Sequence, residues 1–268
     1  MKARPFAFLG ILIGFAIGIS FLVIQRKQPT LSSTFSPLFQ QLGKPIQSAN
    51  RSITQLMPIS DVDEGALGEE IRARFESSYP QEKLHKKKIE NLIQHLTKDS
   101  AKGFQYTVFL ISGPPNAFAL PGGVLCVTEG MLTLASTDDE LAAVLSHEIG
   151  HVERGHLFDL YRKQLLQRKL KTVSLETSTS DFIQNLGSLF FSKAQEDEAD
   201  EYGFSLLVTK GYEPSAMADI FEKLLQLESS SEGVLHDFAS THPRTALRVE
   251  KFRQKASKWH AQHKNLSK

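Results

Sequence analysis

The sequence predicts an α+β domain, mostly helical, with a small β-sheet beside one well-specified helix and a single membrane helix ahead of it. Three observations predict this. Apolar residues recur at helical spacing over most of the stretch from residue 64 to residue 258. Alternating β-branched and aromatic residues occur in only two short runs, Gln105–Ile111 and Val124–Thr128. Phe6–Ile24 is a 19-residue run without a charge, long enough to cross a bilayer as a helix.

The elements follow in order. Lys2 and Arg4 precede the N-terminal apolar run and Arg26 and Lys27 follow it, so flanking charge does not set an orientation. A cleaved signal peptide is the alternative, but signal h-regions run only about 7–15 residues. Here the apolar run continues through Phe21–Ile24, past the small residues Gly18 and Ser20, which favours a retained anchor. Gly10, Gly14 and Gly18 lie four apart and are spaced for close packing of two such helices, a hint of a homo-oligomer. Residues 1–25 thus read as the anchor. Residues 26–60, rich in Ser, Gln, Pro and Thr, read as a flexible linker, and residues 61–268 as the folded domain. Within it, helices are expected over 64–79, 81–98, 138–158, 159–174, 181–209, 214–229 and 244–258. Lys86, Lys87 and Lys88 read as a solvated helix face.

Composition removes several functions. The 31 Lys and Arg balance 30 Asp and Glu, and no zinc-finger spacing or aromatic–basic interleaving is present, so nucleic acid is not an expected partner. A single cysteine, Cys126, excludes an intramolecular disulfide and a thiolate metal site. It lies in an apolar run and reads as a small core residue.

The chemistry sits in the helix that begins at residue 138. Thr137 and Glu140 form the pattern of a capping box, and Leu141, Val144, Leu145 and Val152 supply a core-facing stripe. Within it stands His147-Glu148-Ile149-Gly150-His151. Two histidines four apart on a helix differ by about 40° around the axis, so both imidazoles reach one metal ion. Glu148, between them, reaches a water on that metal without ligating it. Zinc suits this arrangement, since it takes imidazole nitrogen readily and, with three protein ligands, keeps a fourth position open.

A third ligand is therefore needed. His156 is nine residues after His147, about 180° around a continuing helix, and is expected to pack or bond on its back. Gly155 and His156 also each miss their metzincin offset by one. Glu196 and Asp200, four apart on a predicted helix, are better placed. Glu196 is a candidate ligand, and Asp200 a candidate acceptor for the second ring N–H of a ligating histidine. Asp197, Glu198 and Glu201 read as the solvent face of that helix, with Glu198 the next candidate should Glu196 not ligate.

These residues carry a resemblance. The HExxH motif, the Glu196-x-x-x-Asp200 helix, Asn116-Ala-Phe-Ala-Leu-Pro-Gly-Gly123 and Thr241-His-Pro-Arg-Thr-Ala-Leu-Arg248 resemble, in order, the HtpX-type, CAAX-protease-related zinc metallopeptidases of peptidase family M48. The resemblance covers roughly residues 61–256. It is closest to the single-anchor periplasmic quality-control members and the mitochondrial inner-membrane ones, and departs from the multi-span CAAX enzymes.

The resemblance implies a zincin (gluzincin-like) domain with one Zn2+ per chain on His147, His151 and Glu196. Glu148 acts as general base toward water and later as acid toward the leaving amine. A protein or peptide substrate lies extended along Asn116, Ala117, Phe118, Ala119 and Leu120, adding a strand. His242 and Arg248 approach the metal from the C-terminal side. Arg248 is a candidate for stabilising the oxyanion, and His242 either does the same or occupies the zinc's open position at rest.

The implied function is a membrane-anchored zinc metalloendopeptidase that cuts misfolded or mislocalised envelope proteins. The implied location is the bacterial inner membrane with the domain in the periplasm; the mitochondrial inner membrane, or a soluble exported enzyme, are the alternatives. A peptidase-like scaffold that holds clients with little turnover is a second function class, but it has no need of Glu148. A zinc hydrolase acting on a non-peptide bond is a third, and the peptide-edge segment counts against it.

Overall fold

The computed structural model describes residues 61–78, 83–170, 191–230, 242 and 246–263. The expected anchor Phe6–Ile24, the linker and the small-residue stripe at Gly10, Gly14 and Gly18 lie outside the described residues. Among the described residues no helix is long and apolar enough to cross a membrane.

Eight helices and three strands make up the described part: α1 (Asp61–Ser78), α2 (Lys83–Thr97), β1 (Thr107–Ile111), β2 (Ala117–Leu120), β3 (Val124–Thr128), α3 (Glu129–Leu134), α4 (Asp138–Glu153), α5 (His156–Leu170), α6 (Lys193–Thr209), α7 (Ala216–Ser230) and α8 (Ala246–His263). A single 3-10 turn over Pro121–Gly123 joins β2 to β3. The expectation of a mostly helical α+β domain with a small sheet holds.

The sheet has the order β1-β3-β2. β3 pairs parallel with β1 (Val108 opposite Leu125) and antiparallel with β2 (Ala119 opposite Leu125). As the central strand it is buried at every position, which explains its unbroken apolar run. Side chains alternate between two faces. Val108, Ala117, Ala119, Leu125 and Val127 join the main core with α2, α4, α6 and α7. Phe109, Leu120, Val124 and Cys126 face Leu67, Ile71 and Phe75 of α1 and Phe158 of α5. The sheet is thus a middle layer, with α1 on one side and α4 on the other. Cys126 is a core residue, as its apolar neighbours predict, and burial pushes its thiol pKa up.

α4 is the axis of the domain, buried at every position from Glu140 to Val152. The capping box expected at its start is half present. Thr137 Oγ1 accepts from the Glu140 N–H at 3.2 Å, but Glu140 Oε2 accepts from Ser136 N at 2.7 Å rather than from Thr137. Lys223 of α7 also bonds Glu140 Oε2, at 2.7 Å.

At its other end α4 stops at Glu153, five residues before the expected end. Gly155 takes φ 71°, a left-handed value, and its N–H bonds the Val152 carbonyl at 2.9 Å. The chain then restarts as α5 at His156. Glu153 accepts from Tyr106 Oη at 2.7 Å and Ser100 Oγ at 2.5 Å, tying this end of α4 to the segment before β1.

Candidate metal centre

The centre forms where α6 crosses α4. A Cβ on Gly150 would lie 2.8 Å from the Ala199 carbonyl oxygen, and one on Gly203 would lie 3.0 Å from the His147 Cα. Both contacts are backbone, so only glycine lets the two helices come this close. That approach carries Glu196, in the first turn of α6, up against both histidines of α4. The start of α6 is fixed by a full capping box. Ser192 Oγ accepts from Gln195 N at 3.2 Å, and the Gln195 side chain accepts from Ser192 N at 3.0 Å. Asp200 follows one turn later.

Four buried side chains, His147, His151, Glu196 and His242, bring one donor atom each to within 4.8 Å of one another. His147 Nε2 and His151 Nε2 are 3.2 Å apart. Glu196 Oε1 lies 3.4 Å from His151 Nε2, and Glu196 Oε2 lies 3.6 Å from His147 Nε2. His242 Nδ1 is 2.8 Å from Glu196 Oε1 and 3.4 Å from His147 Nε2.

The far nitrogen of His147, Nδ1, lies 3.1 Å from Asp200 Oδ1, an acceptor that suits a ring proton on Nδ1 and a lone pair on Nε2. Burial holds His151 well below the usual histidine value. Nitrogen lone pairs and a carboxylate that converge in a buried space suit a divalent cation, and this donor set fits zinc.

The charges around the centre are ordered. Burial alone would push Glu196 up, but His242 and the close contacts with His151 and His242 outweigh it and hold the carboxyl well below its ordinary value. Asp200 is likewise held down against burial, by the His147 ring beside it and by the Arg248 guanidinium. Burial raises Glu148, with His242 and His147 only partly opposing it. His242 is raised, since Glu196 and Glu148 outweigh its own burial.

Glu148 sits beside the cluster on α4. Its Oε2 accepts the Ala119 N–H of β2 at 3.1 Å. Its Oε1 lies 3.8 Å from His242 Nε2 and has no hydrogen-bond partner among the described residues. β2 pairs with β3 along one side only, so the Ala119 N–H and, by the two-residue alternation, the backbone of Ala117 point to its other edge. Asn116 fixes the entry to that strand. Its N–H bonds Thr128 Oγ1 at 2.8 Å, and its carbonyl accepts from Thr128 N at 3.0 Å. Phe118 packs with the α1-facing core, and Leu120 is fully buried there.

Arg248 lies against two carboxylates of the centre. Its Nε and Nη2 bond the two oxygens of Asp200 at 3.0 and 2.6 Å, and its Nη1 lies 3.1 Å from Glu196 Oε2. The guanidinium also stacks over the Phe221 ring, 4.7 Å from its centroid.

His156 is a correction to the expectation that it packs on the back of α4. Because α4 breaks at Gly155, His156 turns inward, and its Nδ1 comes 3.1 Å from His151 Nδ1. Glu198, expected on the solvent face, lies 3.4 Å from His156 Nε2 with a side chain 36% exposed. Asp197 and Glu201 do form that solvent face, paired with Lys193, Lys251 and Lys255. Phe191, which no sequence signal marks, lies against His151 with ring centroids 3.9 Å apart.

Several known proteins are similar to this chain. Mitochondrial metalloendopeptidase OMA1 of Arabidopsis thaliana is 32% identical over 165 residues, which are 60% of this chain and 33% of that protein. Metalloprotease LoiP of Escherichia coli is 33% identical over 157 residues, 53% of this chain and 59% of its own length. The beta-barrel assembly-enhancing protease of Escherichia coli is 29% identical over 167 residues, 56% of this chain and 34% of that protein. The chain therefore spans between a third and three fifths of these relatives. The sequence profile of Peptidase family M48 matches residues 79–256, a stretch that holds both α4 and α6 and all four converging side chains. The chain belongs to peptidase family M48.

Proposed function

We propose that this protein is a zinc-dependent metalloendopeptidase that hydrolyses peptide bonds in protein substrates. The observation that carries the reading is the convergence of buried donors from His147, His151, Glu196 and His242 within 4.8 Å, with Glu148 beside them. His147, His151 and Glu196 would hold one Zn2+ per chain. When bound, zinc supplies a Lewis acid that polarises a carbonyl and makes a water more acidic.

The chain's own groups do the rest. Glu148 is held by the Ala119 N–H through one oxygen and keeps the other directed at the cluster. Its pKa, raised by burial, suits a carboxylate that takes a proton from water and then returns it to the leaving amine. The outer edge of β2, from Asn116 to Leu120, offers backbone groups to an extended peptide next to Glu148.

Arg248 we assign to orientation, since it clamps Asp200 and Glu196 from behind and so fixes what each presents to the cluster. His242 fits two roles, occupying the metal's remaining position at rest or stabilising the oxyanion. We favour the first, because its Nδ1 already lies among the ligand atoms.

Cutting misfolded or mislocalised envelope proteins is the substrate class we favour. It rests on the similarity to a beta-barrel assembly-enhancing protease and a mitochondrial metalloendopeptidase. Anchoring through Phe6–Ile24 in a bacterial inner membrane, with the domain in the periplasm, goes with that reading. Resistance of the full chain to carbonate extraction tests it, and release into the soluble fraction would count against it.

The zinc assignment is tested by metal analysis of the full-length protein purified in detergent. One zinc per chain is expected, lost in His147→Ala and in Glu196→Ala. Full retention in Glu196→Ala would remove Glu196 as the third ligand.

A further inference from the structure

An imidazole binds a metal through one nitrogen only when its proton sits on the other. The group facing that other nitrogen therefore governs how well the ring ligates. His147 has Asp200 in that place. For His151 the place is taken by another imidazole: Nδ1 of His156, wholly buried at the first position of α5, lies 3.1 Å away.

Two ring nitrogens at this distance share one proton, so one donates and the other accepts. His151 Nε2 faces Glu196 and His147 inside the cluster, and a metal there needs the lone pair on that atom. The His151 proton is then on Nδ1, and His156 Nδ1 must accept it. A neutral His156 in turn carries its proton on Nε2, and the atom opposite is an acceptor, Glu198 Oε2 at 3.4 Å. Each assignment requires the next, and the geometry meets all three.

The backbone serves the same end. On a continuing helix His156 would face away from His147, whereas the left-handed turn at Gly155 brings it behind His151. The Phe191 ring, with its centroid 3.9 Å from that of His151 and 6.2 Å from that of His156, covers the pair.

We propose that His156 is a positioning residue. It accepts the Nδ1–H of His151 and is itself oriented by Glu198, so that the chain Glu198–His156–His151 holds His151 in the tautomer and orientation that bind the metal. The inference rests on the reading of the cluster as a zinc site.

Zinc affinity of the full-length protein, measured by competition with a chelator, separates this role from simple packing. His156→Leu fills similar space without an acceptor, while His156→Asn places an amide oxygen near the position of the ring Nδ1. His156→Leu should bind Zn2+ about 10–100-fold more weakly, the usual effect of losing such a partner, and His156→Asn should recover most of the loss. Cobalt-substituted protein should show the same split, with the absorption spectrum shifted in His156→Leu and close to wild type in His156→Asn. Glu198→Ala, at a partly exposed position that tolerates substitution even if residue 156 does not, should weaken zinc binding by a smaller factor.

Equal affinity in wild type and His156→Leu would overturn the proposal. So would equal losses in His156→Leu and His156→Asn, which would indicate volume rather than an acceptor, or an unchanged affinity in Glu198→Ala. Failure of the wild type itself to bind zinc would instead reject the zinc reading beneath it, an outcome visible without any variant.

Discussion

Replacing Gly150 by alanine should loosen the metal centre without touching any of its ligands. In a helix interior alanine is favoured over glycine by about 0.8–1.0 kcal/mol, so propensity alone predicts a gain. The added Cβ would, however, lie 2.8 Å from the Ala199 carbonyl oxygen and 3.1 Å from the Ala199 Cα. Those are backbone atoms of a packed helix and cannot turn aside, and overpacking of this kind costs about 1–3 kcal/mol. Gly65 of α1 is the control. A Cβ there meets nothing nearer than Phe104 Cε1 at 4.0 Å, so Gly65→Ala should collect the propensity gain alone.

The difference between the two variants cancels propensity and leaves the clash. At about 2–4 °C per kcal/mol for a domain of this size, Gly150→Ala should melt several degrees below Gly65→Ala. Pushing α6 from α4 also moves Glu196 from the histidines, so zinc affinity should fall in Gly150→Ala and stay at the wild-type value in Gly65→Ala. Thermal melts followed by circular dichroism and chelator competition read both quantities. If Gly150→Ala matched Gly65→Ala in stability and kept its zinc affinity, close helix approach would not be what assembles the site.

Two more predictions concern the groups behind and beside the metal. Arg248→Ala leaves the buried Asp200 without its main cation, and breaking such a pair costs about 3–5 kcal/mol. The folded pKa of Asp200 is depressed, so its contribution is fully present above the ordinary carboxylate range and is lost as pH falls through the lower folded value; denaturant midpoints measured against pH should show Arg248→Ala losing stability at a higher pH than wild type. His242→Ala separates the two roles of that side chain in a casein-cleavage assay: an occupied resting position predicts higher basal cleavage and slightly weaker zinc binding, and an oxyanion role predicts a fall of about 10²–10³-fold with zinc unchanged.

How much of this could be read in advance depended on how local the signal was. The spacing of His147, Glu148 and His151 is a property of one helix, and so is the shared face of Glu196 and Asp200, so both were legible from periodicity alone. Their meeting was not, because it depends on Gly150 and Gly203, which in a linear reading are only poor helix formers. His156 was misplaced for want of one local cue. Gly155 just past the last turn is the usual mark of a helix end, and extending the helix to residue 158 sent His156 to the wrong side. Arg248 was legible as a charge near the site, but its partners lie on α6, and nothing in its own segment says which carboxylates it meets. The parallel pairing of β1 with β3 was equally hidden, since adjacency in sequence favours the β2–β3 hairpin and leaves the third strand unassigned.

The substitution Glu148→Gln tests most directly whether Glu148 performs chemistry at a metal held by other residues. The amide keeps the size of the side chain and an oxygen for the Ala119 N–H but cannot take a proton from water. The measurement pairs zinc content with cleavage of casein by the same purified full-length protein. One zinc per chain is expected, as in wild type, with cleavage reduced about 10²–10⁴-fold. Cleavage near the wild-type rate, or loss of the zinc along with the activity, would contradict it.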